Sequence, residues 1–235
     1  MIQLPLSPWG RRHPTRRGVL RLAAGVTALA VAGAWGMSRP VLAQRKKGVS
    51  EVDPAELMKP GPLSELVLGS ADAPITVVEY ASMTCGHCAA FHNKVFPALK
   101  EKYVDPGKVR FIMREFPLDD LAAAASMLAR CAGDGKTFPL ISALFAKQDE
   151  WAFAPPSQRR TELFKFAKQA GFTQESFEKC LTDQKLLDDI AATRSRGAET
   201  FGVNSTPTFF INGKKLNAAA TLEEFDKAFA AIQKS

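Results

Sequence analysis

"SMTCGHCAAFH", Ser82–His92, sets two cysteines three positions apart around a glycine and a histidine, with a second histidine four residues beyond the pair. What stands on either side of it decides the fold. Upstream, "ITVVEYAS" (Ile75–Ser82) is rich in β-branched and aromatic residues, follows the turn-forming "GSADAP", and reads as a buried strand. Downstream, Ala89–Tyr103 spaces Val95, Phe96, Leu99 and Tyr103 along one helix face, with Pro97 placed to kink the helix. The cysteine pair therefore lies at a strand-to-helix junction. "VRFIMREF" (Val109–Phe116), introduced by "DPGK", is a second strand, and strand–helix–strand order implies a right-handed crossover with parallel pairing.

From Asp119 to about Phe201 the sequence reads helical, with Gly133, Gly171 and Gly202 as stops and Asp120, Thr173 and Asp183 as N-caps. So long a helical stretch exceeds a simple crossover and predicts an inserted helical subdomain. The sheet then resumes with "TPTFFI" (Thr206–Ile211), turns at Asn212-Gly213 and continues in "KKL". A last helix starts at Thr221, whose "TLEE" matches a capping box with Glu224, and buries Phe225, Phe229 and Ile232. The expected class is α/β, with an all-helical insertion at about residues 119–201.

The first 43 residues speak to the compartment. They hold six arginines and no acidic residue and run into Leu22–Met37, an apolar stretch of 16 residues rich in Ala and Gly. That is the layout of an export signal, and the stretch falls short of the roughly 20 apolar residues of a membrane-spanning helix. "PVLAQ" offers Val41 and Ala43 to a signal peptidase, so cleavage is expected after Ala43 and the mature protein in the periplasm. "TRRGVLR" (Thr15–Arg21) resembles the twin-arginine motif, with Val19 where that motif usually has Phe; the general secretory route is the alternative. Removing the six arginines leaves 25 basic residues against 24 acidic ones, which withdraws the charge argument for a nucleic-acid partner. Residues 44–62, with "QRKKG" and "KPGP", read as a flexible arm carrying a short helix at Pro54–Met58.

Export permits disulfides, and the four cysteines, Cys85, Cys88, Cys131 and Cys180, allow three pairings. A structural zinc site would find only Cys85, Cys88 and His92 in the opening stretch, one ligand short, with no second closely spaced pair elsewhere. No metal and no cofactor is expected. A purely structural Cys85–Cys88 bridge closes too small a loop to restrict the unfolded chain. A redox dithiol accounts for the placement, because the free N–H groups and dipole at a helix N-terminus stabilise a thiolate on Cys85. His87 lies between the cysteines, where its imidazolium or N–H would add to that effect. Cys88, one turn in, would be the shielded, resolving thiol. His92 is read as a partly exposed helix residue that does not touch the sulfurs. Trp151 and Phe153 are read as core, with a place in a groove as the alternative.

"VVEYASMTCGHC", the helical insertion and "STPTFF" together resemble the DsbA-like periplasmic thiol:disulfide oxidoreductases of the thioredoxin fold, over nearly all of residues 62–235. The resemblance implies that Cys85 is the exposed nucleophile and Cys88 its partner, and that Thr206-Pro207 carries a cis proline that faces the disulfide and pairs with an extended substrate. Glu79, six residues before Cys85, matches an acid that the family buries beneath the disulfide, where it would relay the Cys88 proton; a solvated Glu on the strand is the alternative. Cys-Gly-His-Cys stands where many members have Cys-Pro-His-Cys, which bears on the redox potential. Cys131 and Cys180, on different predicted helices of the insertion, are then expected to pair as a structural disulfide, against two independent buried thiols as the alternative.

The activity implied is donation of the Cys85–Cys88 disulfide to reduced or misoxidised exported proteins, with reoxidation by a membrane quinone-linked thiol oxidase. A reductase or isomerase, or a non-catalytic peptide-binding chaperone, is the alternative. Isomerases of this kind usually carry an added dimerisation domain, for which the arm is too short; a monomer is expected.

Overall fold

A computed structural model describes residues 50–133 and 135–232. The expected export signal, with Ala43, Arg16 and Arg17, lies outside them. The elements run α1 (Pro54–Leu57), β1 (Leu66–Leu68), β2 (Ile75–Ala81), α2 (Gly86–Lys94), α3 (Phe96–Leu99), β3 (Val109–Glu115), α4 (Asp120–Cys131) and α5 (Thr137–Ala146). They continue with α6 (Gln148–Trp151), α7 (Arg159–Gln169), α8 (Gln174–Leu181), α9 (Gln184–Thr200), β4 (Thr208–Ile211), β5 (Lys214–Lys215) and α10 (Leu222–Ile232).

The five strands form one sheet in the order β1-β3-β2-β4-β5. β2 and β3 pair in parallel, Val77 opposite Phe111 and Glu79 opposite Met113, as their crossover through α2 and α3 requires. β4 runs antiparallel to β2, with Phe209 opposite Glu79, and closes through Asn212 (φ 45°) and Gly213 (φ 86°) onto β5. That pair of left-handed residues is the turn that Asn-Gly favours between strands. Alternation along the strands sorts the core. Val77, Phe111, Met113, Phe209 and Ile211 face α2, α10 and the inserted helices, whereas Val78, Tyr80, Ile112 and Phe210 face the other way, toward Phe116, Phe201 and Val203.

Several expectations change in detail. β1, three residues pairing antiparallel with β3, is too short to show a period in the sequence. The helix expected over Ala89–Tyr103 breaks at Val95, one residue before α3, and ends in a π-helical turn at Lys100–Val104. The side chain that caps α4 is that of Asp119 and not Asp120, accepting from the Ala122 N–H at 2.7 Å. The flexible arm over 44–62 is corrected where it is described. Val52 donates its N–H to the Gly213 carbonyl at 2.9 Å, and Val52 and Leu57 are buried against the Tyr80 side of the sheet. These apolar side chains cover a face of the sheet that would otherwise stand in water, which is why the segment docks. Thr173 and Asp183 cap α8 and α9 as expected.

Six helices, α4–α9, are inserted between β3 and β4. Cys131 at the end of α4 is joined to Cys180 in α8 by a disulfide. No helix among the described residues is long and apolar enough to cross a membrane.

Candidate functional site

β2 ends at Ala81, and its direction delivers the chain to the C-terminal edge of the sheet, where parallel strands commonly present their sites. Cys85 is the N-cap of α2, with extended backbone (φ −82°, ψ 118°), and its N–H donates to the Ser82 carbonyl at 3.1 Å. Both thiols are free. Cys88 is wholly buried, whereas Cys85 keeps 9 % of its surface in solvent. The exposed nucleophile implied by the resemblance is thus a narrowly exposed one.

The two sulfurs are electrically unequal. The Cys88 thiol, donating toward the Cys85 sulfur, is the largest influence on Cys85; burial opposes it, and Thr206 and the N–H groups of Cys88 and His87 add to it. The net effect holds the Cys85 thiol down at about 5. Cys88 moves the opposite way. Burial pushes its thiol far up, and the hydrogen bond to Cys85 and the charge of Glu79 push it further. His87 is exposed, and its backbone N–H is what bears on Cys85.

Thr206 and Pro207 lie across from α2. Their peptide bond is cis, and the Cys85 thiol donates to the Thr206 carbonyl oxygen at 3.3 Å. Among the described residues the buried Thr206 hydroxyl has no hydrogen-bond partner. It is therefore available to the thiolate once the S–H proton has gone, which reconciles the carbonyl contact of the neutral thiol with the acidifying influence of Thr206.

Glu79 is not solvated on a strand edge: it projects from the central strand β2 and is 0 % exposed. The reading of His92 as partly exposed is overturned. Its Nε2 lies 2.8 Å from Glu79 Oε2, the residue is buried, and its ring stacks on Phe145 with centroids 4.4 Å apart. The spacing carried this signal. His92 follows Cys88 by four positions, so the two share one face of α2, and that face is the buried one.

Gln148 was not singled out by any pattern. From α6 it is buried and donates Nε2–H to the Met83 carbonyl at 2.8 Å and to the Cys85 carbonyl at 3.1 Å, clamping the loop on both sides of Thr84. Thr84 in turn donates to Asp119 Oδ2 at 2.8 Å, the carboxylate that caps α4. The inserted helices thus hold the dithiol loop at two points. A Cβ on Gly86 would meet nothing closer than Gln148 Oε1 at 4.0 Å, so space does not demand glycine between the cysteines. Trp151 is core, donating Nε1–H to the Leu144 carbonyl at 2.8 Å, whereas Phe153 stands 60 % exposed. Among the described residues no three His, Cys, Asp or Glu side chains converge as metal ligands.

Comparison with known proteins identifies the family of the fold. A family model described as thioredoxin matches residues 63–231. The crystal structure of alpha-DsbA1 from Wolbachia pipientis is similar at 34 % identity and a TM-score of 0.70, covering 78 % of this chain and 96 % of that one. BdbD from Bacillus subtilis, at 22 % identity and a TM-score of 0.62 over 73 % of this chain and 94 % of that one, shares the fold. A protein of Rickettsia bellii named "Putative protein-disulfide oxidoreductase" is 38 % identical over 151 residues, 64 % of this chain and 58 % of the relative, so the chain spans little more than half of that relative's length. By these matches the chain belongs to the thioredoxin superfamily, among the DsbA-like thioredoxin-fold proteins.

Proposed function

We propose that the protein is a thiol:disulfide oxidoreductase that donates its Cys85–Cys88 disulfide to reduced exported proteins. The observation that carries this reading is the inequality of the two sulfurs: Cys85 is held down at about 5 at the open end of α2, and Cys88 is pushed up in the core. A substrate thiolate attacks Cys85 Sγ; the Cys85–Cys88 bond breaks, and Cys88 leaves with the electron pair and takes up a proton. A second substrate thiolate then attacks the substrate sulfur of the mixed disulfide, and Cys85 leaves as the stabilised thiolate. The substrate has lost two electrons and gained a disulfide, and the enzyme holds the dithiol. Thr206 and Pro207 present backbone to the extended substrate beside Cys85.

The low-lying Cys85 thiol supports an oxidising direction. Each ~1.4 kcal/mol that stabilises Cys85 in the reduced form raises the potential by about 30 mV, so a sulfur held this low makes its disulfide an oxidant. A membrane quinone-linked thiol oxidase completes the cycle by withdrawing the two electrons. Residues 1–43 take the protein to the periplasm, with Arg16 and Arg17 as the twin-arginine pair and cleavage after Ala43.

A redox titration against glutathione, read beside oxidative refolding of a reduced client, tests the reading. The account expects a potential above about −180 mV and refolding driven by the oxidised protein. A potential near about −270 mV, with insulin reduction in place of refolding, would assign a reductase.

A further inference from the structure

We propose that His92 is a positioning residue for exchange at Cys88: it holds the Glu79 carboxylate through Oε2 and so keeps Oε1 as the atom that gives and takes the Cys88 proton. The inference deepens the exchange reading above and rests on it. Cys88 is sealed from solvent, so the proton its sulfur gains when the disulfide opens, and loses when it re-forms, has to pass to a group inside the protein. Glu79 is the carboxyl whose charge reaches that sulfur, and it too is fully buried. A lone carboxyl in such surroundings stays neutral, and a neutral acid accepts no proton.

His92 changes that balance. The 2.8 Å approach of Nε2 to Oε2 requires a proton between the two atoms, and with that proton on the imidazole the carboxylate is charged and hydrogen-bonded. Oε1 has no hydrogen-bond partner among the described residues. One oxygen is committed and the other is open. The imidazole is fixed in place, stacked on Phe145 at 4.4 Å and 15° and flanked by the rings of Phe91 at 5.3 Å and Phe96 at 5.1 Å. The other titratable side chains of the dithiol turn are Cys85, Cys88 and the exposed His87. Glu115, on the same face of β3, is engaged by the Arg130 guanidinium, and Asp119 is engaged by Thr84.

Each step balances. When a substrate thiolate opens the disulfide, the S–S bond breaks, Cys88 takes the electron pair and then the proton from Glu79 Oε1, and the carboxylate that remains is held by His92. When Cys88 attacks Cys85 to release a bound substrate, the proton returns to Oε1 and the substrate sulfur leaves as a thiolate.

The test is the rate at which a preformed mixed disulfide on Cys85 of the purified protein is released by Cys88, followed from about pH 5 to pH 9. In His92→Phe, which suits the aromatic surroundings and removes the donor, the acid limb of that profile should move up by about one pH unit, with Cys85 alkylation unchanged. His92→Gln keeps an N–H donor and should restore the profile. In a Glu79→Gln background, His92→Phe should add nothing, because both act through one carboxyl. A folded His92→Phe protein with the native profile, or additive effects of the two changes, overturns the proposal. Should His92→Phe fail to fold, the ¹⁵N shifts of the His92 ring in the native protein decide: Nε2 protonated in both redox states is expected, and a bare Nε2 overturns it. A native protein that forms no mixed disulfide at all overturns the exchange reading as well, whereas exchange with unmoved variants removes only the role of His92.

Discussion

The Cys85 thiol donates to the main-chain oxygen of Thr206 at 3.3 Å, joining residues 121 positions apart. That contact brings the N-terminus of α2 against the entry to β4 and puts the reactive sulfur beside a stretch of main chain. In the proposed exchange, a partner that reaches Cys85 meets the Thr206-Pro207 backbone at the same moment. Sulfur and backbone form one site, and the dithiol loop is as rigid as the groups that hold it.

The first prediction concerns pH. Cys85 is held at about 5 in the folded, reduced protein, below the roughly 8.5 of a free thiol, so the native state binds the proton less tightly than the unfolded chain does. Its contribution to stability is fully present above about pH 8.5, declines through the interval, and is lost as pH falls through 5. The oxidised protein, with Cys85 in the disulfide, lacks this contribution. Urea unfolding should therefore show the reduced form gaining on the oxidised form between about pH 5 and pH 8.5, and iodoacetamide should alkylate one thiol with a midpoint near pH 5. Parallel stability profiles for the two redox forms would contradict the assignment.

Gln148 reaches out of the insertion to both Met83 and Cys85. Gln148→Leu preserves bulk and leaves the buried Met83 carbonyl without this donor, a cost of about 1–3 kcal/mol if that group stays dry, whereas the Cys85 carbonyl keeps the Ala89 N–H at 3.0 Å. The reduced protein should unfold at lower urea, and the Cys85 alkylation midpoint should shift as the helix start loosens. A loss of stability with an unmoved midpoint would confine Gln148 to packing.

Gly197 tests the fold behind the site. Alanine inside a helix ordinarily gains about 1 kcal/mol over glycine. Here a Cβ would lie 2.8 Å from Tyr80 Cε1 and 3.4 Å from Phe116 Cδ2, and Tyr80 is held in place by Arg114 Nη1 at 2.9 Å from its hydroxyl. Overpacking of this kind costs about 1–3 kcal/mol, so the clash outweighs the propensity. Gly197→Ala should lower the urea midpoint; a neutral or stabilising result would show that α9 can slide.

The Cys131–Cys180 bridge joins positions 49 apart in sequence inside the insertion. Replacing both cysteines by alanine should cost about 2–4 kcal/mol, read as a lower unfolding midpoint with two-state behaviour retained. Mass mapping of the unreduced protein that finds both thiols free would remove the bridge itself.

Legibility in the sequence followed periodicity. β2, β3 and α10 declare themselves by long apolar patterns, and the helical insertion by glycine stops and capping residues, because burial imposes those periods on the sequence. β1 and α6 are too short to repeat any period. Gln148 acts through contacts 63 and 65 residues away, which no local pattern encodes. His92 was readable and misread: its distance from Cys88 matches a helical face, but a histidine without context reads as polar surface, and only the partner on β2 makes its burial tolerable.

The central claim is the division of labour between the two sulfurs, and trapping tests it most directly. Cys88→Ser retains the stabilised Cys85 thiolate but lacks the thiol that releases a bound partner, so it should accumulate covalent protein adducts that dithiothreitol reverses. Cys85→Ser leaves only a buried, reluctant thiol and should trap none. Adducts on Cys85→Ser rather than Cys88→Ser, or equal trapping by both, would contradict the account.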